Sequence, residues 1–99
     1  MQESYIERKL VEEIKKVGGL CLKLNSTSMN GLPDRLILLP KGTAVFAELK
    51  APGKKPTANQ RYVHRKLMSL EFPVYVIDGL EGVEELGIRA SQVSGKGEV

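Results

Sequence analysis

The 99-residue chain reads as a single α/β domain, a mixed β-sheet flanked by helices. Three observations predict this class. An amphipathic helical period opens the chain, three short apolar runs punctuated by turn residues follow, and a second helical period leads into a β-branched run. The expected order is α-β-β-β-α-β, with a possible short C-terminal helix. A content of 41% hydrophobic and 27% charged residues fits one globular core.

The elements follow in order. Residues 3–17, "ESYIERKLVEEIKKV", space Ile6, Leu10, Ile14 and Val17 by three or four, and Gly18 and Gly19 supply a stop, so this stretch is an amphipathic helix. "LCLKL", 20–24, is short and apolar and reads as a strand ending at the polar turn "NSTSMNG". "DRLILLP", 34–40, and "TAVFAELK", 43–50, are two further strands joined at Lys41 and Gly42, an antiparallel hairpin that would set Asp34 beside Lys50 and Leu49. "APGKKP", 51–56, is a loop. Thr57 then opens a helix to about Leu70, with Val63, Leu67 and Leu70 as its apolar positions. "PVYVID", 73–78, is the fourth strand. A short helix is expected around 80–86, a turn at Gly87, and a loose polar tail over 91–99, which leaves 1–90 as the domain. The chain has no internal repeat and no low-complexity block.

Charge and cysteine content narrow the function classes. Fifteen Lys and Arg against 12 Asp and Glu give a formal +3, mildly basic and compatible with a polyanionic partner. Cys21 is the single cysteine, which excludes an internal disulfide and a cysteine-based zinc site; it reads as a small buried hydrophobe in a reducing compartment. No run approaches the roughly 18 apolar residues of a membrane span, and "MQESYIERKL" is too charged for a signal peptide. A soluble, cytoplasmic protein is expected, or one inside a host cell if the chain is viral. A core this small makes oligomerisation a reasonable supplement.

Chemistry concentrates in residues 31–53, "GLPDRLILLPKGTAVFAELKAPG". Carboxylates are costly to bury unless paired or bound to a metal. On a strand, i and i+2 share a face, so Glu48 and Lys50 project together, and the hairpin brings Asp34 to the same end of the sheet. Two carboxylates with backbone and water oxygens suit a hard cation, Mg²⁺ or Mn²⁺. Metal-assisted phosphodiester hydrolysis needs such a Lewis acid, a positioned water, and a cation such as Lys50 near the developing charge. The competing account of "ELK" alone is an exposed salt bridge at a sheet edge.

Taken together, Glu7 in the first helix, "GLPD" at 31–34, "ELK" at 48–50 followed by "APG", and Gln60 in the next helix resemble the VRR-NUC (virus-type replication-repair nuclease) domain of the PD-(D/E)xK superfamily. The resemblance spans about residues 3–80 in the family's order. It implies a restriction-endonuclease-like core and a divalent-metal-dependent endonuclease acting on DNA. By residue, it implies that Asp34, Glu48 and the backbone carbonyl of Leu49 hold the metal and that Lys50 is the catalytic lysine. Glu7 would approach the metal directly or through water, and Gln60 would face the site. Free-standing members resemble Holliday-junction resolvases, so the resemblance also implies a homodimer selective for branched or four-way DNA. A general nicking or double-strand nuclease is the nearest alternative, and a noncatalytic DNA-binding module with the same fold is the rival from another class.

Several of these residues carry a second reading. Glu7 adjoins Ile6 at the border of the buried stripe and equally reads as a solvated flank. Thr57-x-x-Gln60 is a capping box, and Gln60 also shares the face of Val63 and Leu67, so both roles coexist. His64, one turn after Gln60, reads as a surface or substrate-facing residue rather than a general base. Lys54, Lys55, Arg61 and Arg65 form either a solvated face or a rim that grips phosphates. Lys23 and the polar run Asn25, Ser26, Thr27 and Ser28 are further candidates for substrate contact. Gly31 and Pro33 shape the turn that delivers Asp34.

Overall fold

A computed structural model describes residues 1–25 and 29–93. Helix α1 spans Glu3–Lys16, strand β1 Leu20–Lys23, β2 Arg35–Leu39, β3 Thr43–Leu49, helix α2 Ala58–Ser69, strand β4 Val74–Ile77 and helix α3 Leu80–Val93. Among the described residues the strands form one sheet in the order β1-β2-β3-β4, antiparallel except for the parallel β3-β4 pair. That parallel pair requires a crossover, which α2 supplies. No helix among the described residues is long and apolar enough to cross a membrane.

The period of α1 buries Ile6, Leu10 and Ile14 as the sequence predicts. They pack with Val83, Leu86 and Ala90 of α3 on one face of the sheet, formed by Ile37, Leu39, Val45, Ala47, Leu49 and Ile77. Fully burying an Ile or Leu side chain stabilises by roughly 1.5–3 kcal/mol, so this layer is the main source of fold stability. The opposite face carries Leu20, Leu22, Leu36, Leu38, Phe46 and Glu48, because register partners share a side and successive residues alternate. Helix α2 lies on that second face, with Val63 and His64 buried.

Three expectations need correction. The C-terminal helix does not stop at Gly87 but continues to Val93. Gly87 is where α3 meets α1, since a Cβ there would lie 3.1 Å from Glu13 Oε1. Glycine inside the helix therefore serves close packing, a role that resembles a stop signal in sequence. In the hairpin, Arg35 pairs with Ala47 and Leu39 with Thr43 across a 3₁₀ turn over Pro40–Gly42. The connection is thus one residue longer than expected, and extending the ladder by one step sets Asp34 opposite Glu48 rather than Leu49. Leu70, expected on the inward face of α2, is 59% exposed, because the helix ends at Ser69 and the chain turns away. Of the expected C-terminal tail, residues 94–99 lie outside the described residues.

Candidate active site

The corrected register puts both carboxylates on the α2 face of the sheet. Asp34 immediately precedes β2, and its Oδ2 accepts a 2.7 Å hydrogen bond from the Leu49 backbone N–H. The "GLPD" turn is fixed by close approach: Gly31 has φ +91°, and a Cβ there would come within 2.9 Å of the Asn59 carbonyl oxygen. Only glycine lets this turn lie against the start of α2 in that conformation. The turn thereby ties Asp34 to the helix that carries the rest of the site.

Glu48, on β3, is 1% exposed. Gln60 Nε2 donates to its Oε2 at 3.1 Å, and His64 Nε2 lies 3.2 Å from its Oε1. Gln60 and His64 are one turn apart on α2, so the same helical face reaches both carboxylate oxygens. Gln60 also accepts from the Thr57 backbone N–H at 2.9 Å while Thr57 Oγ1 accepts from Gln60 N–H at 3.1 Å. The capping box and the site contact are therefore made by one amide, its oxygen serving the helix and its nitrogen serving Glu48.

Electrostatics single out this cluster. Burial, followed by the charge of Asp34 and its hydrogen bond, pushes the Glu48 carboxyl up to about 8; Lys50 opposes the rise and Glu3 adds to it. Burial and the Lys50 charge hold His64 below the ordinary histidine range, with Asp34 acting the other way. Two acids confined in a poorly solvated place are short of positive charge. The donor set, two carboxylate side chains, is hard and oxygen-rich, and no group of three or more His, Cys, Asp or Glu among the described residues is placed to hold an ion. That composition fits Mg²⁺ or Mn²⁺, which bind through one or two carboxylates and keep several waters, better than it fits zinc.

Of the residues expected in the site, Asp34, Glu48, Lys50 and Gln60 come together. Glu7 does not join them: its Oε2 accepts from Arg35 Nε at 2.8 Å. The reason lies in strand alternation, because Arg35 projects to the α1 face of β2 while its neighbour Asp34 projects to the α2 face. Arg35 also donates to the Cys21 carbonyl at 3.0 Å, so the Glu7-Arg35 pair clamps α1 to β1 and β2. Glu3, one helical turn earlier, is the α1 acid whose charge reaches Glu48. The spacing of Glu3 and Glu7, four residues apart on one face, was the available sign that either could face the site.

His64 is the second residue that sequence reasoning misplaced. It is 5% exposed, not a surface residue, and its spacing of four from Gln60 was the pertinent clue. Lys23, Lys54, Lys55, Arg61 and Arg65 are all exposed, and Arg61 Nη1 donates to the Pro56 carbonyl at 2.8 Å, bracing the loop before α2. Ser26, Thr27 and Ser28 lie outside the described residues.

Comparison with known proteins finds nuclease relatives for this chain. The chain is 45% identical over 78 residues to a protein of Acyrthosiphon pisum secondary endosymbiont phage 1 named "Putative nuclease p44", covering 79% of this chain and 84% of that protein. A solved structure described as a VRR-NUC domain superposes with a TM-score of 0.79 at 29% identity, covering 85% of this chain and 91% of that one. No family model matches the sequence.

Proposed function

Since the chain belongs to the VRR-NUC nuclease family, we propose that it is a divalent-cation-dependent endonuclease that hydrolyses DNA phosphodiester bonds at Asp34, Glu48 and Lys50. The observation that carries this reading is the pairing of buried Glu48 with half-buried Asp34, in which burial and then the Asp34 charge push the Glu48 carboxyl up to about 8 beside a lysine. A protein that only gripped DNA would gain nothing from two acids facing phosphates.

Asp34, Glu48 and the Leu49 carbonyl would hold Mg²⁺ or Mn²⁺. When bound, the cation supplies Lewis acidity toward a phosphoryl oxygen and favours ionisation of water. Lys50 offsets the negative charge that grows on the phosphoryl oxygens, or orients the attacking water. Gln60 keeps Glu48 in place. Glu3 is the better-placed α1 acid to complete the site, with Glu7 supporting it through Arg35. Lys54, Lys55, Arg61 and Arg65, with Lys23, form a rim that grips flanking phosphates, so binding should weaken as salt rises.

The substrate in this reading is branched DNA, a four-way junction above all, cut by a homodimer that offers one site to each of two strands. The test incubates labelled four-way junction, flap and linear duplex with the protein in Mg²⁺, Mn²⁺ or EDTA, beside Asp34→Ala and Lys50→Ala. Cleavage should require the divalent ion, and each substitution should reduce it by about 10²–10³-fold. Cleavage that survives EDTA or Asp34→Ala would remove the mechanism. Equal cutting of all three substrates would remove the junction preference and leave a general nuclease.

A further inference from the structure

We propose that His64 is a positioning residue for the cation site: its Nε2–H and the Gln60 amide together fix the orientation of the Glu48 carboxylate. The inference rests on the reading of Glu48 as a cation ligand. It assigns a task to a histidine that the catalytic scheme leaves unused.

The geometry is specific. His64 and Glu48 are 5% and 1% exposed, and their contact is 3.2 Å, Nε2 to Oε1. The other oxygen, Oε2, already accepts from Gln60 at 3.1 Å. With a cation bound, the Glu48 carboxylate is ionised and offers only lone pairs, so the imidazole can then bond to it only as the Nε2–H donor. With one donor on each oxygen, the carboxylate cannot rotate about its terminal torsion without breaking a hydrogen bond in a place where water cannot replace it. The remaining lone pairs are then left for Asp34's side of the cluster. Both donors come from one face of α2, so the helix acts as a rigid clamp across Glu48. His64 is not itself placed to bind the ion, because the nitrogen that faces the cluster is occupied by Glu48.

Partners that orient a ligating carboxylate typically change metal affinity by about 10–100-fold when removed. The test therefore measures Mn²⁺ binding by calorimetry, with DNA absent, for the wild type, Asp34→Asn, His64→Phe and His64→Gln, together with thermal melting in EDTA. His64→Phe should weaken Mn²⁺ binding by about 10–100-fold. His64→Gln, which keeps a donor, should recover part of the affinity. A histidine that merely fills space would instead leave Mn²⁺ affinity unchanged in both variants.

If the wild type binds Mn²⁺, Asp34→Asn does not, and His64→Phe binds as the wild type does, the clamp is wrong while the cation site stands. If the wild type does not bind Mn²⁺, both fall. Should His64→Phe fail to fold, imidazole ¹⁵N NMR of the wild type answers the same question. With Mg²⁺ saturating, the Nε2–H tautomer supports the clamp, and the Nδ1–H tautomer overturns it.

Discussion

Glu48 is buried on the face of the sheet that also carries Asp34, with Lys50 and Glu3 near enough for their charges to matter. Its carboxyl titrates near 8 in the fold, above the ordinary carboxylate range. The folded state therefore holds a proton that the unfolded chain has lost, and stability falls as pH rises from the ordinary carboxylate range through about 8. His64, held below the ordinary histidine range, has the opposite sign: its stabilisation is lost as pH falls below that range. The Glu48 contribution is isolated by comparing wild type with Glu48→Gln in EDTA at about pH 5.5 and about pH 8.5. The wild type should lose at least about 4 °C more than the variant across that interval, on a scale of roughly 4–8 °C per kcal/mol for a domain this size. Mn²⁺ at the higher pH should restore the loss in the wild type only. Parallel melting curves for the two proteins would show that Glu48 carries no such charge cost. At this scale the sequence was most legible where alternation alone decides: Glu48 and Lys50 share a face because they are two apart. Glu7 was not legible, because a helical period gives the buried stripe but not which face of the sheet the helix will cover.

Elements differ in how much of their role local pattern carries. The bounds of α1, the strands and α2 follow from period, caps and punctuation, and each lies within a residue or two of its expected position. The hairpin register did not, because it depends on whether Pro40 belongs to the strand or to the turn, and that single step decides whether Asp34 faces Leu49 or Glu48. Helix α3 was cut short for a related reason, since Gly87 breaks helices in isolation but lies inside α3 where that helix packs close to Glu13 of α1. Helix α2 is the element whose two duties can be separated by experiment. Thr57→Ala removes the cap and should cost about 1 kcal/mol of stability, with cleavage of a junction substrate retained. Gln60→Ala keeps the Thr57 Oγ1 cap but removes the reciprocal half of the box and the 3.1 Å contact to Glu48, so it should cost no more stability than Thr57→Ala and, in addition, lower Mn²⁺ affinity by about 10–100-fold. If Thr57→Ala loses Mn²⁺ affinity to the same extent, Gln60 acts on the site only through the helix.

On the scale of the whole molecule, the sheet is apolar on both faces, but among the described residues only one is fully covered by helices. "LCLKL" and "RLILL" both read as strands without clean alternation, the pattern of a sheet buried on two sides. The α1 and α3 face meets that expectation. On the other face α2 shields the end with Glu48, while Leu20, Leu22 and Leu38 remain 59%, 40% and 36% exposed on neighbouring strands. Leu20 and Leu38 are register partners, so these side chains form a contiguous row at β1, the edge strand among the described residues. The sequence could not reveal this, because an apolar strand looks the same whether a helix or a second molecule covers it. The proposed homodimer would use this row, since a second copy brings an identical apolar surface and buries both without any new type of contact. A stable interface needs about 800 Å² from each partner, so the three leucines would be its centre rather than its whole extent. Light scattering after size exclusion should give a dimer for the wild type and a monomer for the double variant Leu20→Lys, Leu22→Lys, and the melting temperature should rise with protein concentration in the wild type only. If a four-way junction is the substrate, the monomeric variant should still nick it but lose the paired cuts that two coupled sites make. A wild type that runs as a monomer at micromolar concentration would sink the dimer, and a variant that stays dimeric would place the interface elsewhere on the molecule.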